Sequence, residues 1–133
     1  MGTRSLTHIQ NEDEDTLITL YRQHDGSFEN YGLDLAKYLS RFEMVNGIPV
    51  GTTEYDELAN GAGCLSAQVI SEFKEGVGGY YVYPANSKDC GEEYTYTVTA
   101  TEDMQIFIKA KNHYDNSLNF EGTPSDYIEK FDT

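Results

Sequence analysis

Glu93-Tyr94-Thr95-Tyr96-Thr97-Val98-Thr99-Ala100 is the stretch on which the reading of the fold turns. Tyr94, Tyr96, Val98 and Ala100 fall on one side and three threonines on the other. This is the period of two expected of a strand with one covered face. Working outward, Thr101-Glu102-Asp103 reads as a short turn, and Met104 to Ala110 alternates again, with Met104, Ile106 and Ile108 on one side. Upstream, Tyr80 to Tyr83 is a short aromatic strand closed by Pro84, and Ala85 to Gly91 is a turn. Together these three strands predict an antiparallel meander.

The N-terminal stretches Ser5 to Ile9 and Leu17 to Gln23 flank the acidic run Asn11-Glu12-Asp13-Glu14-Asp15. Two β-prone runs around a polar loop predict a hairpin. With Gln10 opposite Thr16, Leu6 faces Leu20, Thr7 faces Thr19 and Arg4 faces Arg22. One face then carries Leu6, Ile18 and Leu20, with Arg4, Arg22 and His24 at its far end. Like charges directly opposite one another are unfavourable unless compensated. The compensating group is either an internal carboxylate or an external anion.

Asp25-Gly26 marks a turn, and Leu35, Leu39 and Phe42 predict a helix over 31–42. Asn46-Gly47 and Ile48-Pro49 end it, and 49–55 reads as an exposed loop. Ala62, Leu65, Val69 and Phe73 predict a second helix over 56–75. Gly61 and Gly63 move its firm start toward Gly63, and Gly76 caps its end. Cys64 falls in the apolar pattern of this helix and is expected in the core. Cys90 falls in a turn and is expected to be exposed. Segment 111–123 reads as irregular, and Pro124 to Phe131 as a short final helix with Pro in its first turn. The expected fold is α+β, one domain over 1–133. A single antiparallel sheet of about five strands runs β-β-α-α-β-β-β with a C-terminal α, and two helices pack on one face.

The 133 residues include eleven Tyr, six Phe and no Trp, and the formal charge is −14. An acidic shell repels nucleic-acid backbone and anionic lipid, so direct nucleic-acid binding is not expected. It attracts basic protein surfaces, and it also serves solubility. No apolar run approaches the roughly 18 residues of a membrane span, and the start lacks the pattern of a signal peptide. A cytoplasmic location follows, in which Cys64 and Cys90 are free thiols.

No P-loop, GxSxG, HExxH or EF-hand pattern is present, so neither a catalytic residue nor a metal or other cofactor is assigned. The glycines Gly76, Gly78 and Gly79 follow a helix rather than precede one, which suits a cap and connection better than a phosphate cradle. Two groups of residues are candidates for binding. Arg4, Arg22 and His24, with Tyr80 and Tyr81 as stacking faces, form a candidate pocket for an anionic or aromatic ligand. The plainer alternative pairs both arginines with carboxylates of the chain. Glu12, Asp13, Glu14 and Asp15 are the candidate protein-contact patch.

Several strings carry a resemblance. They are Gly2-Thr3-Arg4-Ser5-Leu6-Thr7, Tyr21-Arg22-Gln23 with Asp25-Gly26, Asn60-Gly61 with Gly63-Cys64-Leu65, Gly78-Gly79-Tyr80, and Gly91-Glu92-Glu93-Tyr94. In these strings the chain resembles a family of short phage, prophage and bacterial proteins, over most of its length up to about Ala100. The resemblance implies a phage-type accessory protein acting in the host cytoplasm. The expected function is non-catalytic inhibition of a host defence or nucleic-acid-handling protein, as an anti-CRISPR protein does, through an acidic surface that meets a basic one. Two alternatives stand beside it. One is a sponge for a small anionic signal such as a cyclic nucleotide. The other is a small hydrolase using His24 and Asp25 with Cys64 or a metal. The sequence also leaves room for a homodimer.

Overall fold

The computed structural model of the chain describes residues 2–47, 58–114 and 117–132. The loop expected over 49–55 and the expected helix start at position 56 lie outside these residues. β1 (Ser5–Gln10) and β2 (Thr16–Arg22) form the predicted hairpin. Its register differs from the expected one. Gln10 does face Thr16, but Ile9 faces Ile18, so Leu17 is an extra, bulged residue. The bulge slips everything beyond it by one position, and a slip by one moves side chains to the other face. Ser5, not Arg4, therefore faces Arg22, and Leu6 faces Tyr21 rather than Leu20.

A π-helical turn (Phe28–Gly32) leads into α1 (Leu33–Leu39), shorter than the helix expected over 31–42. β3 (Glu43–Val45) and β4 (Leu58–Asn60) pair in parallel as a separate two-stranded sheet, which periodicity did not reveal. α2 (Gly61–Phe73) buries Ala62, Leu65, Ser66 and Val69. Cys64 lies on its exposed side, not in the core, and Cys90 is half-buried. β5 (Tyr80–Tyr83), β6 (Tyr94–Ala100) and β7 (Ile106–Asn112) follow. β8 (Ser117–Gly122) occupies the segment expected to be irregular. It escaped the period-two reading because a bulge at Asn119 interrupts the alternation: Ala110 faces Phe120 while Lys111 faces Leu118. α3 (Pro124–Phe131) has the predicted bounds. Thr123 and Asp126 form a reciprocal capping box at its start, and Pro occupies its first turn, where no backbone N–H is needed.

The main sheet has six strands in the order β5-β2-β1-β6-β7-β8. It is antiparallel except at its centre, where β1 runs parallel to β6. The expected all-antiparallel meander of β5, β6 and β7 is thus corrected: β5 pairs with β2, and the hairpin sits between β5 and β6. The chain from β5 to β6 must then cross the hairpin. It does so on the face away from the helices, where the Thr19 hydroxyl donates to the Ala85 carbonyl at 2.9 Å and Tyr21 stacks on Tyr83 at 5.0 Å. Leu6 and Tyr21, on that face, are buried.

Among the described residues three α-helices, rather than the expected two, cover the other face. There Ile9, Leu20, Tyr96, Val98, Ile108 and Ala110 meet Leu35, Leu39, Leu65, Val69 and Tyr127 in one core. Burial of this kind stabilises by roughly 1.5–3 kcal/mol for each large side chain. The aromatic residues add geometry. Tyr31 lies edge-on to Tyr96 and Phe73, and its hydroxyl shares hydrogen bonds with Thr7 at 3.1 Å and Tyr80 at 2.8 Å. Burial pushes the hydroxyls of Tyr31, Tyr80, Tyr96 and Tyr127 well above the usual tyrosine range, so they act as neutral donors and acceptors.

Each outer strand has a carbonyl taken up by a lysine. Lys74 Nζ donates to the Tyr80 carbonyl of β5 at 2.7 Å, and Lys130 Nζ to the Asn119 carbonyl of β8 at 2.8 Å. A charged donor on an edge carbonyl blocks pairing with another strand. The double substitution Lys74→Ala with Lys130→Ala is therefore expected to raise self-association above that of the parent, as read by sedimentation velocity. Unchanged sedimentation would mean that other features guard the edges.

Candidate functional site

The acidic run forms the tip of the β1–β2 hairpin. Asn11 organises it: its side-chain oxygen accepts from the backbone of Asp13 and Asp15, both at 3.0 Å, and its backbone N–H donates to the Asp15 carbonyl at 3.0 Å. Glu14 takes a positive φ of 62° to complete the turn. Glu12, Asp13, Glu14 and Asp15 are all exposed.

A second acidic turn stands beside it. Gln10 pairs with Thr99 in the parallel register of β1 and β6, which brings the β6–β7 turn to the same end of the sheet. That turn closes through Thr101, whose N–H donates to the Gln105 carbonyl at 2.8 Å and whose hydroxyl donates to Asp103 at 2.5 Å. Glu102 and Asp103 are exposed. A hollow of about 330 Å³ opens at this end, lined by Glu12 and Glu102 together with Asn46 and Gly61. Neither turn contains a Lys or Arg. Sequence reasoning missed Glu102 and Asp103 as members of this surface, because only the parallel pairing brings the two turns together. Among the described residues the ion pairs are Lys37–Asp132 at 3.5 Å and Lys109–Glu121 at 3.7 Å. Both are solvated, and such pairs contribute roughly 0–1 kcal/mol. Neither pair involves a carboxylate of the two acidic turns.

The ligand-binding candidates do not all converge. Arg22, on the helix-covered face, places its guanidinium 4.8 Å from the Tyr31 ring and donates Nε–H to the His24 carbonyl at 2.7 Å. Arg22, His24 and Tyr80 share the lining of a small hollow of about 130 Å³, with Glu75 in its wall. Tyr80 itself is nearly enclosed, so it offers no free stacking face. Arg4 projects to the opposite face of the sheet and packs against Gly91. Tyr81 lies with Tyr21 and Tyr83 on that same opposite face. The arginines therefore do not repel each other across the hairpin, as the expected register required, because sheet alternation puts them on different sides.

The groups of the hydrolase alternative lie on separate elements. Cys64 Sγ meets Gln68 on its own helix at 3.8 Å, whereas His24 and Asp25 follow β2. Among the described residues no three His, Cys, Asp or Glu side chains are placed to share a metal ion. His8, on the open face, lies 2.7 Å through Nδ1 from the Thr19 hydroxyl. That hydroxyl donates its proton to Ala85, so Nδ1 carries the imidazole proton and Nε2 is left as an acceptor. Burial lowers the His8 pKa below the usual histidine range, partly opposed by the nearby Glu92 charge.

No helix among the described residues is long and apolar enough to cross a membrane. No family model, curated protein or solved structure matches the chain.

Proposed function

We propose that this protein is a non-catalytic binding protein of phage type that inhibits a host defence or nucleic-acid-handling protein, with the acidic end of its sheet as the contact surface. The observation that supports it most is the pairing of two ordered acidic turns at one end. Glu12, Asp13, Glu14 and Asp15 stand there beside Glu102 and Asp103. Carboxylates held on rigid turns meet a cationic surface with little loss of conformational freedom. The formal charge of −14 adds long-range attraction that speeds encounter with a basic partner. A nucleic-acid-binding channel on a host protein has that chemistry.

Native mass spectra of the protein purified from its natural host identify what co-purifies. The affinity for a co-purifying protein is then measured against salt. Affinity is expected to fall by about tenfold or more between low and moderately high ionic strength. Neutralising the tip with Glu12→Gln, Asp13→Asn, Glu14→Gln and Asp15→Asn should weaken binding by a similar factor and flatten the salt dependence. A salt-insensitive complex, or one untouched by neutralisation, would sink the acidic-surface reading. Release of a bound small molecule in place of a protein would favour the anionic-signal sponge.

A further inference from the structure

A further hollow, of about 380 Å³, lies between α1 and the C-terminal end of α2, where Arg22 reaches the edge of the sheet. It collects cations in a chain that has few of them. Arg22, Lys37 and Arg41 line it, three of the nine Lys and Arg residues. Asp34, Glu72 and Glu75 line it as well. No described carboxylate stands within 4.0 Å of either arginine, whereas Lys37 is paired with Asp132 outside the acids of the cleft. Each arginine is instead held by a ring: Arg22 over Tyr31 at 4.8 Å, and Arg41 over Tyr38 at 5.6 Å. Cation–π contact of this kind fixes a guanidinium without using up its outer N–H donors. Two aromatic rings also line it, Tyr38 and Phe73, which meet edge to face with centroids 5.8 Å apart.

Arginines and carboxylates that line one hollow without ion-pairing to each other complement a ligand that carries both signs. A simple anion would gain the arginines but also meet three carboxylates. A simple cation would have the reverse difficulty. A zwitterion satisfies both sets with charge-assisted hydrogen bonds, and a flat apolar body would lie against Tyr38 and Phe73. The volume falls in the range typical of small-molecule sites, roughly 300–1,000 Å³. We propose that this cleft binds a small zwitterion with a flat apolar body, of the aromatic α-amino acid class. Arg22 and Arg41 take its carboxylate, and Glu72 and Glu75 its ammonium group. The site shares no residue with the acidic end, so it stands or falls separately from the proposed function.

The test is a titration of the ¹⁵N-labelled full chain, followed by amide shifts, with L-phenylalanine. Its singly charged analogues 3-phenylpropanoate and 2-phenylethylamine, and inorganic phosphate, serve as comparison probes. L-Phenylalanine is expected to give saturable shifts confined to α1 and residues 72–80, with a Kd of about 1 mM or tighter. Each comparison probe should bind about tenfold more weakly or worse. Arg41→Gln and Glu72→Gln should each weaken L-phenylalanine by about tenfold, corresponding to one charge-assisted contact. Both side chains are exposed, and the unshifted remainder of the spectrum reports that the fold persists. Three outcomes would overturn the proposal: no saturable shift with L-phenylalanine, binding of phosphate or of either singly charged analogue as tight as that of the zwitterion, or indifference of binding to both substitutions.

Discussion

Gly32→Ala is expected to destabilise the protein by about 3 kcal/mol, near the upper end for an overpacked core position. Gly32 is buried at the end of the π-helical turn, where two tyrosine side chains converge on it. A Cβ there would collide with the Tyr127 hydroxyl and lie 2.7 Å from that of Tyr96. Neither hydroxyl is free to retreat. Tyr127 donates to the Phe28 carbonyl at 2.8 Å, and Tyr96 donates to the Gly26 carbonyl at 2.7 Å. Relieving the clash would break at least one of these bonds and leave a buried polar atom unpaired, which costs about 1–3 kcal/mol by itself. In a chain of this length the Tm should fall by roughly 10 °C. Circular dichroism with thermal and urea unfolding measures it. An unchanged Tm would mean that the tyrosines yield at little cost and that this hydroxyl cluster contributes little to stability.

The second large effect is expected at Tyr31. It is 1% exposed and joins three layers of contact: the sheet through Tyr96, α2 through Phe73, and the Arg22 guanidinium above its ring. Tyr31→Ala should cost about 4 kcal/mol, from lost burial plus the cavity left behind. That is a large share of the roughly 5–15 kcal/mol that holds a domain folded. Tyr31→Phe isolates the hydroxyl. It keeps the ring but strands Thr7 and Tyr80, whose hydroxyls bond to Tyr31 at 3.1 and 2.8 Å. A loss of about 2 kcal/mol is expected from the unpaired buried groups. Chemical denaturation of the two variants separates packing from hydrogen bonding. If Tyr31→Phe were neutral, the hydroxyl chain would be incidental and the ring alone would matter.

The two effects share one origin. Periodicity identifies Tyr96 as an inward residue, and an aromatic inside a small core is what the composition predicts. That Tyr31 and Tyr80 satisfy each other, that Tyr96 and Tyr127 reach the Gly26 and Phe28 carbonyls, and that Gly32 leaves space for the last two, depends on separate elements meeting. A buried polar group must find its partner somewhere, and a sequence shows the need without showing the partner. The candidate sites follow the same pattern. Glu12 to Asp15 could be read as one exposed loop, and they are one. Glu102 and Asp103 join them only through the parallel pairing, and Lys37 and Arg41 reach the Arg22 cleft only because α1 packs beside α2.

By itself, the sequence determined the elements whose signals are local. The alternation of Tyr94 to Ala100 made a half-covered strand, Tyr80 to Tyr83 a short strand ended by Pro84, and Pro124 the first turn of a helix running to Phe131, all at or near the observed bounds. These depend on side chains two to four residues apart, so neighbouring residues specify them. Tertiary structure alone decided the bulge at Leu17 that moved Arg4 and Arg22 to opposite faces, the insertion of the hairpin between β5 and β6, and the strand at Ser117–Gly122. Backbone hydrogen bonds carry no residue identity, so which strand pairs with which, and in what register, is settled by how the whole apolar surface is buried at once.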